Sequence, residues 1–312
     1  MLDPRQLYDV TDAASEYPLD GRGAVLIHAL TGFIDAGSAG RLAAEHLREH
    51  LQTRVVATFD VDQVLDYRAR RPPMTFTEDR WTAYERPRLV VEELRDADDQ
   101  RFLLLTGPEP DVQWERFSAA VVDLVRRLGV RLTLGVHAIP MAVPHTRPGG
   151  VTAHATRPEL LGEHRSWVGT VQVPGNVAAL MELRLGEEGL DAGGYAVHVP
   201  HYLAQAEYPQ AAAQLLEAVS SLTGLRLPVA DLHEAAARTR AAVDEQIADN
   251  AEIREVVASL EAQYDAFVGG EGRSLLADPP TPDAPLPTAD ELGAELERFL
   301  AEENERRGRS DG

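Results

Sequence analysis

Ten residues of this chain stand where short apolar runs give way to polar turns, and their types suit acid–base or anion-binding chemistry. Gly32 and Asp35 lie in Thr31-Gly32-Phe33-Ile34-Asp35-Ala36-Gly37. Gly107, Glu109 and Asp111 share Gly107-Pro108-Glu109-Pro110-Asp111. His145 and Arg147 belong to Pro144-His145-Thr146-Arg147-Pro148, Asn176 follows Pro174-Gly175, and His198 and His201 flank Val199-Pro200. Carboxylates and imidazoles brought together at such turns support general acid–base catalysis or carboxylate-assisted hydrolysis. Glycines there let backbone amides approach an anion or a sugar. The acid-rich turns fit the hydroxyls of a sugar better than a bare phosphate, which would need Arg147 or Arg68 brought in. A plainer reading stands beside each: a glycine that only turns the chain, an imidazole that only packs.

Several chemistries are excluded by composition. There is no cysteine, so no disulfide, thiolate nucleophile or thiolate metal site exists. All 30 basic residues are arginine, which removes Schiff-base chemistry, pyridoxal phosphate anchoring and the P-loop lysine. No HExxH is present. His198-x-x-His201 on a strand would turn its rings to opposite faces, so no metal is expected, and no cofactor is implied. No GxSxG elbow supports a serine hydrolase. A net charge of −21 opposes binding to nucleic acid or an anionic membrane. No apolar run approaches a membrane span, and the start lacks a basic segment followed by an apolar one; a cytoplasmic protein is expected.

The elements that must position these residues alternate strand with helix. Phe102 to Leu105, bounded by charge and by Gly107-Pro108, reads as a strand covered on both faces. Asp111 reads as the N-cap of a helix whose Trp114, Phe117, Ala120, Val121 and Leu124 share one face. Ala24–Leu30, Arg54–Asp60, Val130–Ile139, Val151–Ala155, Trp167–Val173 and Tyr195–Tyr202 read as further strands or their exits, after an irregular lead-in over 1–20. Residues 74–84 and 88–95 read as one antiparallel hairpin added to the sheet. In an open parallel sheet, ligands gather outside the carboxyl ends of the strands, where most of the ten residues fall. The basic loop Asp66–Pro73 suits an anionic ligand or an acidic neighbouring subunit.

Three regions follow: an α/β core over 1–228, a helical extension over 229–268 packed on the core or on a neighbouring subunit, and an acidic, proline-rich linker with a last amphipathic helix over 269–312. Asp249 with Glu252 resembles a capping box that would split the extension into two helices.

The strings LTGFIDAG (30–37), DYRARRP (66–72), LLTGPEPDVQWERF (104–117), GVHAIPMAVPHTRP (135–148) and AVHVPHYLAQAEYP (196–209) resemble the actinobacterial branch of the proteasome assembly chaperone family, second type. The resemblance spans about residues 5–268. It implies a three-layer α/β/α sandwich with a mixed, twisted sheet similar to purine nucleoside phosphorylases. It also implies a homo-oligomer, with a trimer favoured, and a proteasome-related protein partner. The function it implies is non-catalytic interaction or assembly. The alternative is a small-molecule enzyme or binder that takes a nucleoside-like or phosphorylated ligand in the phosphorylase-like cleft.

Overall fold

Apolar runs of four or more residues hold the centre of the computed structural model, which describes residues 2–17, 23–161, 170–248 and 250–269. Ten strands are described: β1 (Tyr8–Val10), β2 (Ala24–Thr31), β3 (Thr53–Phe59), β4 (Met74–Thr77), β5 (Arg80–Tyr84), β6 (Val90–Arg95), β7 (Arg101–Pro108), β8 (Val130–Met141), β9 (Val151–Ala155) and β10 (Ala192–Pro200). The helices are α1 (Ala39–His50), α2 (Trp114–Arg127), α3 (Val177–Glu187), α4 (Pro209–Thr223), α5 (Ala230–Ala248) and α6 (Ala251–Gly269). Eight strands form one sheet in the order β1-β3-β6-β7-β2-β8-β10-β9. The four central strands β7, β2, β8 and β10 run parallel, and both margins are antiparallel. The ends at Pro108, Thr31, Met141 and Pro200 therefore share one edge.

Alternation along β7 shows why the sheet needs two covers. Phe102 and Leu104 turn to one face, Leu103 and Leu105 to the other, and all four are fully buried. The first pair packs with α1 and α4. The second packs with α2 through Phe117, Val121 and Leu124, and with α3 through Val177, Met181 and Leu185. The result is the expected three-layer α/β/α sandwich with a mixed sheet and C-terminal helices. Among the described residues no helix is long and apolar enough to cross a membrane.

Several local expectations are corrected. The lead-in is not wholly irregular, because Tyr8–Val10 pairs with β3 and closes that margin of the sheet. Residues 74–84 are a complete hairpin by themselves, reversing at Glu78 with φ 56°, and form a separate two-stranded ribbon. Residues 90–95 pair in the main sheet instead. Residues 171–176 carry no strand, and residues 167–169 lie outside the described residues. Helix α6 is capped by Asn250, whose side chain accepts from the Ile253 amide at 3.2 Å, and Asp249 lies outside the described residues. The tail from 270 onward also lies outside them.

Gly107, next to last in β7, has φ 140°, a conformation open in practice only to glycine. A Cβ there would strike the Arg88 carbonyl and come within 2.7 Å of Leu89 Cα. Gly189 has φ 72° but nothing within 4 Å of its would-be Cβ. Gly107→Ala should therefore cost about 3 kcal/mol or more, and Gly189→Ala only about 1 kcal/mol. Urea unfolding midpoints of the two variants check this; equal costs would show that the Arg88–Leu89 crossing does not constrain the chain.

Candidate functional site

The turn from β2 into α1 is built on Asp35. Strand β2 pairs with β8 only as far as Gly135, so the seam beyond needs another partner. The Asp35 carboxylate supplies it: Oδ1 accepts from the Ala138 amide at 3.2 Å and from the Gly40 amide at 2.9 Å, and Oδ2 from the Arg41 amide at 3.1 Å. One half-buried side chain thus joins a strand to the first turn of a helix. Burial raises its pKa, against the pull of those three amides, which favour the ionised form.

The turn after β7 is tied in a similar way. Glu109 is buried, its amide donates to the Thr31 carbonyl at 2.7 Å, and its Oε1 accepts from the Val177 amide at 2.7 Å. Asn176 Oδ1 accepts from the Ala179 amide at 2.8 Å. Glu109 and Asn176 together satisfy two of the unpaired donors at the start of α3. Asp111 does not cap α2, whose entry is Gln113 in a left-handed conformation. Instead Asp111 Oδ2 accepts from the Asp66 amide at 2.8 Å, and Oδ1 pairs with Arg70 Nη2 at 2.6 Å. Arg70 also donates to the Thr31 carbonyl at 3.3 Å, and its guanidinium fills the space beside Gly32, where a Cβ would collide with it. This arginine of the basic loop closes on its own chain.

The Pro144–Pro148 turn receives the C-terminal helices. The His145 amide donates to the Tyr202 hydroxyl at 2.9 Å, and Nδ1 lies 2.6 Å from that oxygen. Nε2 lies 2.9 Å from Asp244 Oδ1 on α5. Arg147 makes a two-pronged pair with Asp265 of α6, through Nε at 2.8 Å and Nη2 at 2.7 Å, and reaches Glu261 at 3.3 Å. Thr146 donates to Glu261, and the Tyr264 hydroxyl donates to the Pro148 carbonyl at 3.0 Å. Beside Arg147, Asp265 is held below the ordinary carboxylate range. Asp244, Glu261 and Asp265 escaped the sequence reading. The one local sign was Glu261 and Asp265 at a four-residue spacing, which places two acids on one helix face.

The histidines separate. His198 is buried, bonds to Thr152 Oγ1 at 2.8 Å, and loses basicity by desolvation. His201 is exposed, edge-on to Tyr202. The His137 ring lies 6.3 Å from that of His154. Among the described residues no group of three or more His, Cys, Asp or Glu side chains is placed to hold a metal ion.

The sequence profile of the PAC2 family matches residues 29–247. The chain belongs to the PAC2 family. Among solved structures it is similar to Rv2714 of Mycobacterium tuberculosis, a protein of unknown function, at 50% identity and a TM-score of 0.80 over 84% of this chain and 90% of that one. A Corynebacterium glutamicum protein of unknown function shares 38% identity with the same TM-score, over 84% of this chain and 98% of that one. The M. tuberculosis proteasome-assembly chaperone homologue Rv2125 shares 25% identity with a TM-score of 0.69, over 75% of this chain and 99% of that one. No curated protein matches the chain.

In this PAC2 chain, then, three of the candidate acids hold backbone amides or an arginine of their own chain, and the His145–Arg147 turn holds two helices. Two outcomes follow. Glu109→Ala leaves the Val177 amide buried without its acceptor and should destabilise the fold by about 2 kcal/mol, whereas Glu109→Gln keeps an acceptor oxygen and should cost less. A melting temperature unmoved by Glu109→Ala would refute the capping role. Arg147→Ala should raise hydrogen exchange across α6 while the sheet keeps its protection; unchanged exchange in α6 would show that apolar packing alone, through Val257 and Leu260, holds the helix.

Proposed function

We propose that this PAC2 chain is a non-catalytic interaction protein of the assembly-chaperone kind, working in the cytoplasm as a homo-oligomer, a trimer in the favoured reading, with a proteasome-related protein partner. The observation that carries this reading is the β4–β5 ribbon, in which every residue is exposed. Phe76 and Trp81 are 55% and 63% exposed, and Met74 and Tyr84 are about half exposed beside them. Their rings meet edge-on at 5.0 Å, so the aromatic surface is ordered yet uncovered. A lone two-stranded ribbon is marginal in water, and an exposed apolar patch on such an arm marks a surface that meets another molecule.

Charge supports a second copy as that molecule. Arg68, Arg71, Arg80, Arg86 and Arg88 outnumber Glu78, Asp79 and Glu85 along this stretch, in a chain of net charge −21. The segments flanking the ribbon are basic and the body is acidic, which makes them complementary between copies. The partner class rests on family membership and on the chaperone homologue at 25% identity.

The cleft reading, a nucleoside-like or phosphorylated ligand held by Gly32, Asp35, Gly107, Glu109, Asp111, His145, Arg147, Asn176, His198 and His201, has less behind it. Most of those polar groups are already bonded within the chain.

Native mass spectrometry of the full chain tests the proposal. A mass that is a multiple of 34.1 kDa is expected for wild type. The paired change Phe76→Ser and Trp81→Asp should shift the mass to the single chain without lowering the melting temperature, because both side chains are exposed. A wild-type protein of single-chain mass, or an assembly indifferent to both changes, would overturn the role of the arm.

A further inference from the structure

Histidines from several strands meet on the sheet face that α2 and α3 cover. In the strand pairing, His28 of β2 lies beside Gly135 of β8, Gly135 beside Gly194 of β10, and Gly194 beside His154 of β9. The two glycines make room for the rings. A Cβ on Gly135 would come within 2.7 Å of His28 Cε1 and 3.0 Å of its Nε2. A Cβ on Gly194 would come within 2.6 Å of His154 Cε1 and 2.9 Å of its Nε2. Both rings thus lean inward over the neighbouring strands, towards each other. His137, two residues along β8 from Gly135, projects on the same face.

The groups around this row are few. From β10, His198 stands farther along and bonds to Thr152. From α3, Glu182 pairs with His154 Nδ1 at 2.7 Å, and Glu109 sits at that helix's first turn. His28 is 4% exposed, and among the described residues neither His28 nor His137 has a hydrogen-bonding partner. The charges acting on them are those of other imidazoles: His137 and His154 on His28, and His154 on His137. Among the described residues no carboxylate is recorded as acting on either ring.

We propose that this histidine row is a proton-sensitive latch, whose protonation parts α3 and β9 from the strands beneath them. An imidazolium at buried His28 cannot hydrate in place, and it repels a second one at His137 or His154 across the glycine floor. The least costly way to admit water is for the edge of the sheet to move, because β9 pairs with β10 alone. Helix α3 should travel with it, since Glu182 of that helix holds His154 Nδ1 at 2.7 Å. Burial first, and the neighbouring imidazoles second, bring His28 down to about 3 and His137 to about 4. Both values lie below that of a free histidine, so the closed state excludes protons that the opened state accepts. Closure is complete above about pH 6.5 and is lost as the pH falls, by about tenfold per pH unit for each such ring.

Hydrogen exchange at about pH 7.5 and about pH 5.5, corrected for the intrinsic chemical rate, tests the latch on the full chain. Exchange across 151–155 and 177–187 should rise tenfold or more at the lower pH, while α1 and α4 stay protected. His28→Gln with His137→Gln should flatten that response. As these variants disturb a packed face, titration of the wild-type imidazole Cε1 protons is the second measurement: two of the 10 histidines should titrate below about pH 5. A uniform rise in exchange over all helices, or 10 histidines titrating near the ordinary value, overturns the proposal.

Discussion

Buried backbone amides at the carboxyl edge of the parallel strands impose the constraint on which the rest of the chain depends. Each crossover lifts a strand out of the sheet and starts a helix nearby, so amides of strand and helix face inward with no backbone acceptor. In this chain side chains meet the demand. Asp35 spans the open seam of β8 and the first turn of α1, and Glu109 with Asn176 serves the first turn of α3. The Asp35 carboxylate is already at the focus of three amide donors, which is the environment an anionic ligand would otherwise occupy. Capping and anion binding compete for the same amides, and here capping occupies them.

Arginine performs the complementary task. Without lysine, every side-chain cation except the imidazolium is a planar fork able to hold a carboxylate with two parallel bonds. Arg70 on Asp111 draws the 66–73 loop over the turn after β7, and Arg147 on Asp265 seats α6 on the β8–β9 turn. These pairs are partly exposed, so each contributes modestly to global stability. Their effect is geometric: they set where a loop and a helix lie over a sheet whose core is held by Phe102–Leu105 and its neighbours.

The layers of the fold were legible because apolar period and burial obey the same rule. Leu103 and Leu105 alternate with Phe102 and Leu104, and Phe117, Val121 and Leu124 recur at helical spacing, so each element announced its covered face. The 74–95 stretch misled for the converse reason. Period alone cannot say whether a ribbon joins a sheet, and the reversal at Glu78 depends on one left-handed residue of a type that seldom adopts it. The ten candidate residues were legible as a set of turn positions but not in their partners. Asp35 with Ala138 and Arg147 with Asp265 are separated by 103 and 118 residues, and nothing local encodes such distances.

A turn built to hold itself and a turn built to hold a ligand use the same residue types. Glycine permits the bend, a carboxylate meets amides, and arginine meets the carboxylate; what separates the two cases is whether the donors remain open. At the strand ends of this chain Glu109 is closed upon a backbone amide, Asp111 upon Arg70 and Arg147 upon Asp265. The uncovered chemistry lies elsewhere, on a ribbon whose Phe76 and Trp81 face solvent. The polar edge of this sheet is satisfied from within and its apolar arm is not, and the proposed interaction role rests on that contrast. The imidazoles of buried His28 and partly buried His137 add a different kind of incompleteness: groups whose basicity the fold lowers by position, which in the proposed latch tie the α3 side of the sheet to the proton concentration around it.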